Sequence, residues 1–180
     1  MNHPKILIKQ TKDELLKFSP REQKRGEILH FILSKINRLT DLNHLEQITT
    51  QALAYFGGRT ENWDLAKEFI VPIQTVLNQP CLQTILVKPS QVFSERTILW
   101  PNQTEFEVLR PDKVILTESV ACVLEFKSEY QEEYFPSQQT QLKKYMKVIA
   151  KLFPQPVRGY LIYILSNKII EIKTTWVPSK

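Results

Sequence analysis

The chain has 180 residues, 42% of them hydrophobic, and carries a formal net charge of +5 at pH 7. That length suits one domain with a real core, and the positive excess favours nucleic acid as a partner. No apolar run reaches the ~18 residues needed to span a bilayer. The two cysteines, Cys81 and Cys122, lack metal-ligand spacing, which fits a reducing cytoplasm.

Residues 1–20 read as a tether or short leading helix that ends at Ser19-Pro20, and residues 21–180 as a single domain. The opening Met1–Lys9 lacks the apolar core and cleavage site of a signal peptide. Positive charge gathers ahead of the first strong helix, at Lys5, Lys9, Lys12, Lys17, Arg21, Lys24 and Arg25. In that helix Ile28, Leu29, Ile32, Leu33 and Ile36 recur at helical spacing, which carries it to about Leu39. Gly26 and His30 lie one turn apart on one face. Glycine in a helix interior costs ~1 kcal/mol against alanine, so it suits a place where another backbone or a ligand comes close. The competing reading of His30 is a histidine at a helix–sheet contact.

Leu42 to Phe56 and Trp63 to Leu77 read as two more helices, separated by Gly57-Gly58. Leu82 to Val87 reads as a short strand or a helical turn. Strands are expected at 92–100, 105–110, 112–117 and 120–127. The last two form a hairpin across Thr117, Glu118 and Ser119. A helix through Gln138 runs to Phe153-Pro154, with Leu142, Tyr145, Met146 and Ile149 on its apolar face. Gln138, Gln141 and Tyr145 line up along one side of it, while Lys143, Lys144, Lys147 and Lys151 form a basic stripe. A final hairpin pairs Val157–Leu165 with Ile169–Thr175. Helices first, then a meander, a crossover helix and another strand predict a mixed α/β domain, a mixed sheet flanked by helices.

The chemistry concentrates at Arg110-Pro111-Asp112 and Glu125-Phe126-Lys127. Glu125 and Lys127 project from one face of a strand, and the hairpin brings Asp112 to the same end of the sheet. Mg²⁺ prefers carboxylate oxygens. A lysine beside them can orient a water or stabilise charge on a phosphate. The competing reading is an ordinary hairpin with a polar outer face.

The order G-x-x-x-H at Gly26 and His30, R-P-D at Arg110 to Asp112, E-x-K at Glu125 to Lys127 and Q-L-x-x-Y at Gln141 to Tyr145 resembles the PD-(D/E)XK nuclease superfamily. Within it, the order is similar to the nuclease domain of the RecB and AddA helicase-nucleases. Val157 to Ile164 resembles the strand that follows the Q-L-x-x-Y helix in some members. The resemblance spans residues 20 to 175.

It implies a restriction-endonuclease-like fold and a metal-dependent deoxyribonuclease, an exonuclease in DNA repair, recombination or end processing. It implies that His30, Asp112, Glu125 and the carbonyl of Phe126 hold Mg²⁺ or Mn²⁺, and that Lys127 is catalytic. Gln141 and Tyr145 fall near the active site, where an amide and a phenol can contact phosphate, and count with Lys127, Asp112 and Glu125 as the expected catalytic residues. Lys143, Lys144 and Arg110 are the expected DNA contacts. There are departures: Leu109 stands where many members have glycine, and Glu125-Phe126-Lys127 where many have Asp-Tyr-Lys. Glu95 is a loose match to another acidic position of the family, with an exposed strand glutamate as the competing reading. There is no cysteine cluster for an iron–sulfur centre, and no phosphate-binding G-x-x-x-x-G-K-[ST] loop to mark a motor. The chain is therefore read as a separate nuclease subunit, a stand-alone relative or an excised domain, and the expected partners are DNA and, in the first case, a helicase or another repair subunit, with no membrane. The alternatives are an inactive nucleic-acid-binding module of the same fold, or an interaction subunit of a repair complex.

Overall fold

Ser19 opens the first helix, α1 (Pro20–Lys35), in a computed structural model that describes residues 19–57, 62–102 and 105–173. The expected tether, with Lys5, Lys9, Lys12 and Lys17, lies outside the described residues, apart from its end at Ser19-Pro20, and so do Thr174 and Thr175. The Ser19 hydroxyl accepts the Glu22 N–H at 3.3 Å, and the Glu22 carboxylate accepts the Ser19 N–H at 2.7 Å. This reciprocal cap, with Pro20 in the first turn, starts the helix cleanly. Ile28, Leu29, Ile32 and Leu33 are its buried stripe.

α1 ends at Lys35, short of the expected Leu39. The Asp41 carboxylate accepts the N–H groups of Asn37 and Arg38 at 2.8 and 3.0 Å, which draws the chain out of the helix. A 3₁₀ turn (Leu39–His44) and α2 (Leu45–Tyr55) follow. Gly57 closes α2 at φ 65, in the left-handed region that favours glycine. The expected helix from Trp63 to Leu77 is divided: a π-helical turn (Ala66–Ile70) leads into α3 (Val71–Leu77). Pro72 lies just past the junction and has no N–H for the preceding turn. Pro80–Leu86 is helical and forms α4, not a strand.

The strands are β1 (Gln91–Ser94), β2 (Ile98–Asn102), β3 (Glu105–Leu109), β4 (Lys113–Leu116) and β5 (Ala121–Lys127). α5 (Phe135–Leu152), β6 (Val157–Tyr163) and β7 (Lys168–Ile172) complete the fold. The single strand expected at 92–100 is two strands in different sheets. The break falls at Glu95, whose φ is 55. The main sheet has the order β1-β4-β5-β6-β7, while β2 and β3 make a separate ribbon. β5 and β6 are parallel and the other neighbours antiparallel, so the sheet is mixed. α5 is the crossover that a parallel pair requires.

Strand alternation divides the core in two. Ile115, Cys122, Leu124, Phe126 and Ile162 face the N-terminal helices. Val114, Ala121, Val123, Leu161 and Tyr163 face α5. Gly159 on β6 lets α5 settle against the sheet: a Cβ there would lie 2.3 Å from the Met146 sulfur. No helix among the described residues is long and apolar enough to cross a membrane.

Candidate active site

The β4–β5 ladder runs from Leu116↔Ala121 to Lys113↔Leu124, and beyond that last pair side chains take over from backbone. The Asp112 carboxylate (Oδ2) accepts the Phe126 N–H at 2.7 Å. The Asp112 N–H faces Glu125 Oε2 at 3.5 Å. By alternation Glu125 and Lys127 project to the α5 side, whereas the Phe126 ring packs under the N-terminal helices. Lys127 Nζ sits 3.2 Å from Glu125 Oε1, with the lysine side chain 24% exposed and the glutamate 4%. The ammonium therefore reaches solvent with a buried carboxylate behind it.

α1 brings His30 to the same place. Its Nδ1 lies 3.5 Å from Asp112 Oδ1. Gly26, one turn earlier, permits the approach, since a Cβ there would stand 3.1 Å from the Ser128 hydroxyl just past β5. Glu95 completes the group. Its N–H donates to the Asp112 carbonyl at 2.9 Å, which holds it in the left-handed conformation. One ligand atom each from His30, Glu95 and Asp112 lies within 4.8 Å of the others.

The three groups nearest to a metal-binding arrangement are thus not the set implied by the motifs. Glu95 stands in the cluster, while the Glu125 carboxylate is turned to Lys127 and the Asp112 N–H. Glu95 had only a loose motif match, because the bend that delivers it rests on a long-range backbone bond.

The electrostatics follow from burial and crowding. Burial disfavours a charged imidazole at His30, but the Asp112 charge and hydrogen bond outweigh it and raise its pKa. Burial also disfavours the Asp112 carboxylate, yet His30, Lys127 and the Phe126 N–H hold it below the usual aspartate value. Burial and the Asp112 charge raise Glu95, against the pull of Arg110. Burial and Asp112 together push Glu125 up to about 7. Two carboxylates that resist ionising beside a third that stays charged make a site that a cation would relieve.

The Q-L-x-x-Y helix is tied to this corner. Gln141 Nε2 donates to the Tyr145 hydroxyl at 3.0 Å. Burial first, and then the Glu125 charge, raise the pKa of that hydroxyl, which places it beside the carboxylates. Tyr163 donates to Gln138 Oε1 at 2.7 Å. A cleft of about 490 Å³ opens between α1 and the start of α5, lined by Gly26, His30, Lys127, Gln138 and Gln141 among others. The expected DNA contacts differ in their commitments. Lys144 is paired with Glu107, Arg110 Nε bonds the Glu95 carboxylate at 2.9 Å, and the Lys143 side chain is exposed.

Sequence reasoning missed Lys113. It is 1% exposed and lies on the face opposite Asp112. Its ammonium donates to the Ile36 carbonyl and, at 3.2 Å, to Asn37 Oδ1, which also accepts the Ser94 hydroxyl at 3.3 Å. Lys113 thus ties the end of α1, the end of β1 and the start of β4, the elements that carry His30, Glu95 and Asp112. Burial pushes it down to about 8. Strand parity was the available signal, since Lys113 shares a face with the buried Ile115.

No protein-family model matches the chain, and no curated protein matches it.

Proposed function

We propose that the chain is a metal-dependent deoxyribonuclease of the PD-(D/E)XK type, related to the RecB and AddA nuclease domains. His30, Glu95 and Asp112 hold Mg²⁺ or Mn²⁺, and Lys127 acts on the scissile phosphate. The observation that carries this reading is the convergence of those three ligand atoms within 4.8 Å, next to the Lys127–Glu125 pair. An imidazole and two carboxylates form a donor set suited to Mn²⁺ and, through the carboxylates, to Mg²⁺.

A cation bound there supplies Lewis acidity towards the phosphate and lowers the pKa of a coordinated water. The protein does the rest. Asp112, kept ionised by His30 and Lys127, is the fixed anionic donor. His30 must give up its proton to bind, so affinity rises with pH. Lys127 places its ammonium at the mouth of the cleft, where it can stabilise charge building on a non-bridging oxygen. Glu125 orients that ammonium through the 3.2 Å contact. Pushed up to about 7, it can also take a proton from an attacking water near neutral pH. Direct ligation by Glu125, as the motif implies, leaves the Lys127 contact on Oε1 intact if the second oxygen, Oε2, is the ligand atom. Gln141, bonded to Tyr145 at 3.0 Å, lines the cleft beside Lys127.

The cleft that holds Lys127 and Gln141 is the path this reading gives a polyanion. The setting this fits is end processing in DNA repair or recombination, alone or with a helicase subunit. Incubation of end-labelled linear DNA and circular DNA with Mg²⁺ or Mn²⁺ tests it. Short products from the linear form, absent in EDTA, are expected, and resistance of the circle identifies exonuclease action. Failure to cut either DNA with either metal overturns the proposal.

A further inference from the structure

α1 has a second chemical face. Phe31 follows His30 directly, and successive helical residues project about 100° apart, so the Phe31 ring leaves the helix away from the cleft and meets α2. Tyr55 stacks on it with ring centroids 4.9 Å apart and planes inclined by 20°. Phe56 stands edge-on to both, at 5.7 Å from Phe31 and 5.1 Å from Tyr55. Phe31 and Phe56 are half-buried, but Tyr55 is 73% exposed. The tyrosine is the outermost ring of a built stack. One face is backed by Phe31, and among the described residues no ring stacks on its other face.

Two ammonium groups bracket these rings. Lys24 Nζ lies 4.8 Å from the Phe56 centroid, and Lys35 Nζ lies 4.8 Å from the Phe31 centroid. Both lysines come from the same helix as His30. Lys24 shares its charge with Glu27, 3.7 Å away, and Lys35 has no carboxylate within ion-pair distance among the described residues. An exposed aromatic face with a cation at either end has the chemistry of a base-stacking platform. The ring takes the π-face of an unpaired base, and the lysines take the phosphates before and after it. Such a surface has no use for duplex DNA, whose bases are already stacked.

We propose that Tyr55, backed by Phe31 and flanked by Lys24 and Lys35, stacks a base of single-stranded nucleic acid that continues around the exposed edge of α1 into the cleft. This rests on the nuclease reading for the destination of the strand, but not for the platform itself. The platform anchors a strand at one point, so the phosphate presented to Lys127 lies at a fixed distance along it.

The test is fluorescence anisotropy of a labelled oligothymidylate in EDTA, where no cleavage occurs. Tyr55→Ala should weaken binding by about 5- to 150-fold, as expected for losing one base–aromatic stack, while melting as a folded protein. Tyr55→Trp should retain binding. Lys24→Ala with Lys35→Ala should reduce the log–log salt slope by about 1.4, from ~0.7 for each single-strand phosphate contact. With Mn²⁺ present, Tyr55→Ala should raise the protein concentration needed for half-maximal single-turnover cleavage, with the saturated rate unchanged. Wild-type affinity in folded Tyr55→Ala overturns the platform. So does an equal loss of affinity for a blunt duplex, or a wild-type protein that binds no single strand. Loss of binding in Tyr55→Ala, from a wild type that never cuts DNA, would support the platform and overturn the nuclease reading.

Discussion

The Asp112 carboxylate accepts the Phe126 N–H at 2.7 Å, one step past the last backbone pair of β4 and β5. The hydrogen bond extends the ladder with a side chain. It brings the carboxylates of Asp112 and Glu125 close together at the open end of two strands, with Lys127 on the same face as Glu125. The chemistry proposed for the site depends on this join, because a slip of one residue would send Glu125 and Lys127 to the opposite face.

Lys127→Ala should reduce single-turnover DNA cleavage by ~10²–10³-fold, as expected for losing one donor to transition-state charge. The thermal shift caused by Mn²⁺ should persist, since Lys127 is not a ligand. Near-normal cleavage by this variant would remove Lys127 from the mechanism.

The pH dependence of stability in EDTA isolates Glu125. Burial and the Asp112 charge push its folded pKa up to about 7, above the ordinary glutamate value of 4.5. The native state therefore holds an extra proton between those values, and Glu125 makes stability fall as pH rises from 4.5 to 7. Glu125→Gln cannot ionise, so its stability relative to wild type should climb across that window and stay level above it. With about 1.4 kcal/mol per pKa unit, the relative gain at pH 8 is on the order of 1–3 kcal/mol. Parallel pH profiles for the two proteins would contradict the buried, crowded carboxylate.

Much of this corner was legible in the sequence. The hairpin of β4 and β5, the α5 crossover and the strand face shared by Glu125 and Lys127 follow from period-2 and period-3.6 patterns. The structure also brings His30 and Tyr145 to Asp112, as the motif order implied. Three features were not legible, for a common reason. Glu95 turns the chain because its N–H bonds the Asp112 carbonyl, Lys113 is buried because Ile36 and Asn37 receive it, and α1 ends early because Asp41 captures two backbone N–H groups. Each is a polar contact that overrides local propensity; hydrophobic periodicity carries no trace of the first and third, and of the second only the strand face that Lys113 shares with Ile115.

Near pH 10.5, where the burial penalty on the ammonium is gone, Lys113→Met should destabilise the protein by about 1–3 kcal/mol, because the Ile36 carbonyl loses its buried donor. In the wild type, the depressed pKa of about 8 means that the unfolded chain binds more protons between that pH and 10.5, so stability rises with pH there. The variant should lack this rise. Its Mn²⁺ affinity should also fall, although Lys113 touches no ligand atom, because the ends of α1 and β1 are no longer tied to β4. Unchanged Mn²⁺ affinity in a folded variant would confine Lys113 to packing.

Lys143 and Lys144 should separate in salt-dependence measurements on single-stranded DNA. Lys143→Ala should lower the slope by about 0.7, one phosphate contact. Lys144→Ala should leave it near the wild-type value, because its ammonium is already held by Glu107. Equal effects of the two substitutions would show that the Glu107 pair opens on binding.

The central claim is that Asp112 anchors a divalent cation used to cut DNA. Single-turnover cleavage of end-labelled DNA should be followed against Mn²⁺ concentration in wild type and Asp112→Asn, with melting curves on the same samples. Wild-type cleavage should saturate with Mn²⁺ and vanish in EDTA, and tenfold Mn²⁺ over its dissociation constant should add about 1.4 kcal/mol of stability. Asp112→Asn, which keeps an oxygen to accept the Phe126 N–H, should melt as a folded protein in EDTA, yet lose both the Mn²⁺ shift and the cleavage. Wild-type cleavage and a full Mn²⁺ shift in Asp112→Asn, or no Mn²⁺-dependent cleavage by the wild type, would contradict the account.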